Sequence, residues 1–225
     1  MAKQGTLAGC RAIVTGGDAG FGRSLLEGLR AAGADVASVT LPNASQTGIH
    51  EACNAAVAKL GGLDALVHAS WDPATLVPRP LLDTSESQWA RACEEPLQAA
   101  IFTLQCAYEH LHEAGGRVVL VTPTVSTAGA PGLVPVAAAI ESIRILGKTA
   151  AKQWGAHGIT VNSLAPDLEA VAPDGGVRVS LGEPALPDFD PHRDLGEIVS
   201  FLAGEASRHL TAQTLRVDGG GWTPG

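Results

Sequence analysis

Eight residues near the amino terminus, Thr15-Gly16-Gly17-Asp18-Ala19-Gly20-Phe21-Gly22, form a glycine-rich stretch between an apolar run and an amphipathic one. Gly16 permits a tight bend, while Gly20 and Gly22 let a phosphate or a neighbouring strand approach a helix start closely. The same glycines serve equally in strand–helix packing, and the sequence leaves both uses open. A second set, His68, Asp72, Thr122, Thr124 and Asp167, follows the carboxyl ends of expected strands. A His/Asp pair there could move protons in a lyase or isomerase. The simpler reading is a strand-end histidine with its polar needs met, beside ordinary strand threonines. Glu94-Glu95 resembles paired carboxylates but falls on the solvated face of a helix. His157, His192 and His209 have no spacing that would hold a metal.

The elements that must position these residues follow from hydrophobic periodicity. Cys10 to Thr15 is a short apolar run broken by the glycine turn, as in a buried parallel strand. Phe21, Leu25, Leu26 and Leu29 recur at helical spacing up to Ala32, and Gly33 supplies the stop. Further strands are expected at 35–41, 65–69, 117–122, 159–164 and 214–217. Helices are expected at 52–60, from a Ser85/Gln88 capping box to about His112, at 134–154 and at 194–203. This alternation implies an α/β chain with a doubly wound parallel sheet, read as one domain over residues 1–225.

Hydrophobic residues make up 45% of the 225 and charged ones only 17%, which marks a globular chain rather than a disordered one. A net charge of −8 argues against nucleic acid or an anionic membrane as partner. No apolar run reaches the length of a membrane span, and the first residues lack a signal-peptide core. Cys10, Cys53, Cys93 and Cys106 form no metal or redox motif, so they are expected to be reduced thiols in a cytoplasmic protein.

The turn TGGDAGFG matches the TGxxxGxG pattern of the short-chain dehydrogenase/reductase (SDR) family. Gly158-Ile159-Thr160-Val161-Asn162 with Pro166 resembles the family's GIRVNxxxP strand, and Trp89 opens a stretch like its WxxxxxVN helix. Phe201-Leu202-Ala203, Thr211-Ala212-Gln213 and Val217-Asp218-Gly219-Gly220 resemble its carboxyl-terminal motifs. The resemblance covers nearly the whole chain and implies a Rossmann-like sheet of the SDR type.

It also implies catalysis by a Tyr-x-x-x-Lys pair, a serine and an asparagine. Gap-free flanks place that serine at Pro123, the tyrosine at Val136, the lysine at Ile140 and the asparagine at Pro96. No residue at these positions has an ionisable or hydrogen-bonding side chain. Tyr108, the only tyrosine, lies on an earlier helix, and Lys148 and Lys152 lie about two and three turns too far along. Pro96 would kink its helix.

NAD-binding members carry an acid at the end of the second strand, where this chain has Thr40, and the basic residues of NADP-binding members are absent too. Only seven residues, Pro42 to Gly48, are read between that strand and the next helix, too few for the usual edge helix and strand. Trp71 replaces a glycine after the third strand and is expected to fill part of the cofactor cleft. Asp167 follows Pro166 in place of glycine, and residues 173–191 read as an irregular substitute for a substrate lid.

The resulting expectation is a catalytically degenerate subunit with no catalytic residues of its own. It would pair with an active SDR paralogue in a hetero-oligomeric alcohol dehydrogenase or ketoreductase, or with itself. Gly16, Gly20 and Gly22 would be a remnant turn, with no resident cofactor beyond residual NAD(P) binding. The alternative is a cyclase, isomerase or dehydratase that reuses the cleft.

Overall fold

Arg11–Thr15 has no side chain that needs water along Ala12, Ile13 and Val14, and it forms β1, a strand buried on both faces. The computed structural model describes residues 6–18, 20–41, 45–171, 184–186 and 190–222. After β1 come α1 (Gly20–Ala31), β2 (Asp35–Val39), α2 (Gln46–Leu60) and β3 (Ala65–His68). Two 3-10 turns then lead into α3 (Glu86–Trp89) and α4 (Glu95–Leu111). The rest comprises β4 (Gly116–Val121), α5 (Val125–Ala128), α6 (Val134–Trp154), β5 (Ile159–Pro166), α7 (Leu168–Val171), α8 (Pro191–Ala203) and β6 (Thr214–Val217).

The six strands are all parallel, in the order β2-β1-β3-β4-β5-β6. The chain therefore turns back at β1, which has β2 on one side and β3 on the other. Such a reversal opens a crevice at the carboxyl ends of the two central strands. β2 is the edge, as expected from the short link that follows it. That link is even shorter than the sequence suggested. Ser45 caps α2, its Oγ accepting from the Gly48 N–H at 3.2 Å, so Gly48 lies inside the helix and not before it.

Helices cover both faces. Ile49 and Cys53 of α2, Leu104 and Leu111 of α4, and Ile143 of α6 pack on one side of the sheet. Phe21, Leu25 and Leu29 of α1 with Leu195, Val199 and Leu202 of α8 pack on the other. α1 and α8 meet backbone to backbone: a Cβ on Gly28 would lie 2.4 Å from the Cα of Gly196. The proline expected to kink a helix instead sits in the first turn of α4. A π turn over Ala90–Glu94 precedes it, with the Glu95 N–H bonded to the Ala90 carbonyl, so the helix widens just before the residue that lacks a donor. The expected lid at 173–191 lies almost wholly outside the described residues.

Candidate functional site

The carboxyl ends of β1, β3 and β4 carry the glycine turn, the segment His68–Trp71 and the segment Thr122–Thr124. The turn divides its glycines between two tasks. A Cβ on Gly22 would lie 2.0 Å from the Gly16 carbonyl oxygen, and one on Gly16 would lie 2.8 Å from that of Ala69. These two lock the turn to α1 and to β3. Gly20 opens α1 at φ +51°, and a Cβ there would meet nothing within 4 Å. Its space is open, at a helix start whose first turn has no acidic side chain to oppose an anion.

Asp18 is the residue that sequence reasoning passed over. Its carboxylate accepts a hydrogen bond from Thr40 Oγ1, just past the end of β2. Both residues are exposed. The neighbouring hydroxyls of Ser38 and Thr40 hold the Asp18 carboxyl below the ordinary carboxylate range. The Gly16 N–H bonds the Val39 carbonyl at 3.1 Å, and Arg23 Nη2 donates to the Asp18 carbonyl at 2.5 Å. The turn is thus stitched to the edge strand. Parallel pairing of β1 with β2, Thr15 opposite Val39, brings these distant residues together.

The candidate proton-transfer pair is not assembled. His68 is fully buried, its Nδ1 3.0 Å from Thr15 Oγ1, which also accepts from the Ala69 N–H at 3.1 Å. Burial pushes the imidazole pKa down to about 4, so the ring is neutral near pH 7. Asp72 turns elsewhere, pairing with Arg91 at 2.7 Å and capping the Ala74 N–H at 2.9 Å. Thr122 and Thr124 each bury a hydroxyl that has no hydrogen-bond partner among the described residues. Asp167 directly follows β5 and is half-buried. Glu94 and Glu95 are solvent-exposed, as expected of a helix face, and His209 is exposed in a turn. His157 packs edge-on against Tyr108, while the His192 side chain lies outside the described residues. No group of metal-ligating side chains occurs among the described residues.

Around Val136 and Ile140, the positions that the resemblance would assign to catalysis, the packing is apolar. Val136 is 2% exposed and Ile140 0%, and both pack with Leu76, Val125, Leu133 and Leu168. Trp71 is half-buried against this cluster, with its indole N–H buried and without a partner among the described residues. Pro123 and Pro96 add no donor. Tyr108 stands at the opposite end of the sheet, between His112 and Trp154, with ring centroids 5.4 and 5.1 Å away. Directly after Ile140, Glu141 accepts from Ser126 Oγ at 2.8 Å and pairs with Arg144. Burial opposes its charge, yet those two partners carry its carboxyl below the ordinary range. Below Val136 lies a cavity of about 190 Å³, lined by Thr75, Arg79, Gln88 and Arg91 among others.

Comparison with known proteins identifies this architecture. Residues 1–221 match the family described as enoyl-(acyl carrier protein) reductase. The chain is 28% identical to L-2,3-butanediol dehydrogenase of Corynebacterium glutamicum, over 93% of this chain and 97% of the relative. It is 25% identical to 3-oxoacyl-(acyl-carrier-protein) reductase FabG of Staphylococcus epidermidis, with 93% and 97% covered. A blue fluorescent protein from a metagenomic library, solved with NADPH, superposes with a TM-score of 0.83 at 25% identity, over 97% of this chain and 100% of that one.

These relatives correct two expectations. An inactive subunit completed by an active paralogue, and the alternative cyclase, isomerase or dehydratase, both give way, because the similar proteins are named as dehydrogenases and reductases. The expectation of no resident cofactor gives way too. The fold matches a chain solved with NADPH, and the protein belongs with nicotinamide-dependent relatives. The chain belongs to the short-chain dehydrogenase/reductase family.

Proposed function

We propose that the protein is a nicotinamide-dependent oxidoreductase that acts on a small keto or hydroxy compound. The observation that carries this reading is Gly20: an open cradle at the start of α1, held in place by the interlocked Gly16 and Gly22. The backbone N–H groups at the start of α1 would hold the pyrophosphate. Trp71 and the apolar cluster around Val136 would flank the nicotinamide and keep water from it. The bound dinucleotide supplies or accepts the hydride.

The cavity beneath Val136 is small, which favours a compact substrate such as the diol of the butanediol dehydrogenase relative over a long acyl chain. Arg79 lines that cavity together with Arg91, which is itself paired with Asp72, so the lining offers hydrogen-bond donors to a polarised oxygen. Val136 and Ile140 carry no proton, so the proton that accompanies hydride transfer must be exchanged with water or with a group outside those positions. Losing a positioned acid–base pair slows a reaction by about 10²–10⁴-fold, and turnover is expected to be lower than in relatives with the pair by that margin. No helix among the described residues is long and apolar enough to cross a membrane. Four free cysteines suit the reducing cytoplasm, where we place the protein.

The test is a titration with NADH and NADPH, followed by oxidation or reduction assays with acetoin, 2,3-butanediol and a 3-oxoacyl thioester. Saturable binding of a nucleotide with slow turnover of the small substrates is the expected result. A chain that binds neither nucleotide refutes the proposal.

A further inference from the structure

We propose that Asp18 reads the adenosine ribose, supplying from the glycine turn the carboxylate that the end of β2 lacks, so that the protein takes NAD(H) in preference to NADP(H). The inference rests on the dinucleotide reading above and deepens it. In a doubly wound sheet the ribose lies beyond the carboxyl end of the second strand, where a carboxylate accepts from its vicinal hydroxyls. Thr40 occupies that strand end and cannot carry a charge. Its hydroxyl instead donates to Asp18, which places a carboxylate against the position the acid would have filled.

Two backbone contacts hold it there. The Gly16 N–H to Val39 carbonyl bond ties the turn to the strand, and Arg23 fixes the Asp18 carbonyl at 2.5 Å. The side chains of Asp18 and Thr40 both remain exposed, because β2 is the sheet edge and no further strand among the described residues covers them. An ionised carboxylate offers about four acceptor positions. The neighbouring hydroxyls of Thr40 and Ser38 engage at most two, so acceptor capacity remains for the 2′- and 3′-hydroxyls. A 2′-phosphate would bring nearly two more negative charges to the same place and would be repelled.

Arg23 is the competing group, a guanidinium on the same turn that could pair with a 2′-phosphate. It is already committed to the Asp18 carbonyl and lies in the field of the Asp18 carboxylate. The order of the two nucleotides therefore decides which group governs.

The experiment is equilibrium titration of the full chain with NADH and with NADPH, read by nicotinamide fluorescence. The wild type is expected to bind NADH at least about tenfold more tightly, and Asp18→Asn to narrow that ratio to about threefold or less. Thr40→Val keeps the charge but removes the hydroxyl that anchors it. It should weaken NADH binding while NADPH stays the poorer ligand. Unchanged melting temperatures show that both exposed substitutions leave the fold intact. Equal or tighter binding of NADPH by the wild type, or an Asp18→Asn ratio equal to that of the wild type, overturns the assignment and leaves the dinucleotide reading standing. Binding of neither nucleotide overturns that reading itself.

Discussion

The glycine turn and the cluster around Val136 both lie at the carboxyl ends of the strands, yet different forces shape them. At the turn the backbone does the work. Gly16 and Gly22 touch so closely that no other residue fits, Gly20 faces open space, and the Asp18 carboxylate is exposed beside Arg23. At the cluster side chains do the work, and all of them are apolar: Val136, Ile140, Leu133 and Leu168 close against Trp71. A dinucleotide-binding turn depends on shape that glycine alone can supply, whereas a reaction site depends on particular polar groups that a few substitutions can remove. The first kind of site persists through sequence change that erases the second. The two regions should therefore answer mutation in opposite ways.

The largest effect is expected from restoring charge to the apolar side. Ile140→Lys would bury an ammonium with no acid in the surrounding cluster, costing about 4 kcal/mol of stability in urea unfolding. A loss below about 1 kcal/mol would mean that the cluster admits water, and the contrast between the two regions would collapse.

Next comes the histidine that links them. The folded-state pKa of His68 is depressed to about 4, below the unfolded value of about 6.5. The unfolded chain therefore binds the extra proton first. Stability is full above about pH 6.5 and falls as the pH drops toward 4, by about 3 kcal/mol in all. Unfolding curves measured across that window should show this slope, and His68→Gln should flatten it. An unchanged slope in the variant would remove His68 from the account.

The smallest effect separates the two glycine tasks. Gly22→Ala should cost about 2 kcal/mol because its methyl meets the Gly16 carbonyl, whereas Gly20→Ala should cost about 1 kcal/mol through its positive φ alone. Only the second would place a methyl in the open cradle, so Gly20→Ala should lose nucleotide binding out of proportion to its melting temperature. Equal behaviour of the two variants would show that the turn has a single role.

Strand and helix order was legible because each buried element keeps its own hydrophobic period, from Ile13 and Val14 in β1 to Leu195 and Val199 in α8. What escaped notice depended on contacts between distant parts of the chain. Asp18 reads as one more residue of a glycine loop until β1 and β2 pair and bring Thr40 alongside. His68 and Asp72 look like a pair because both follow the carboxyl end of a strand, but His68 belongs to Thr15 and Asp72 to Arg91. The start of α2 was hidden by Gly48, which resembles a break, while the capping serine that decides the boundary lies outside any hydrophobic pattern. The small cavity under Val136 is formed by residues from separate loops and helices, and no spacing announces it.

The meeting of Gly28 with Gly196 has a mechanical consequence. At that crossing no side chain separates α1 from α8, so a displacement of one helix there is passed directly to the other's backbone. A phosphate that draws on the amino end of α1 would therefore pull on α8 as well, and occupancy of the turn would be felt by the chain segments on either side of that helix.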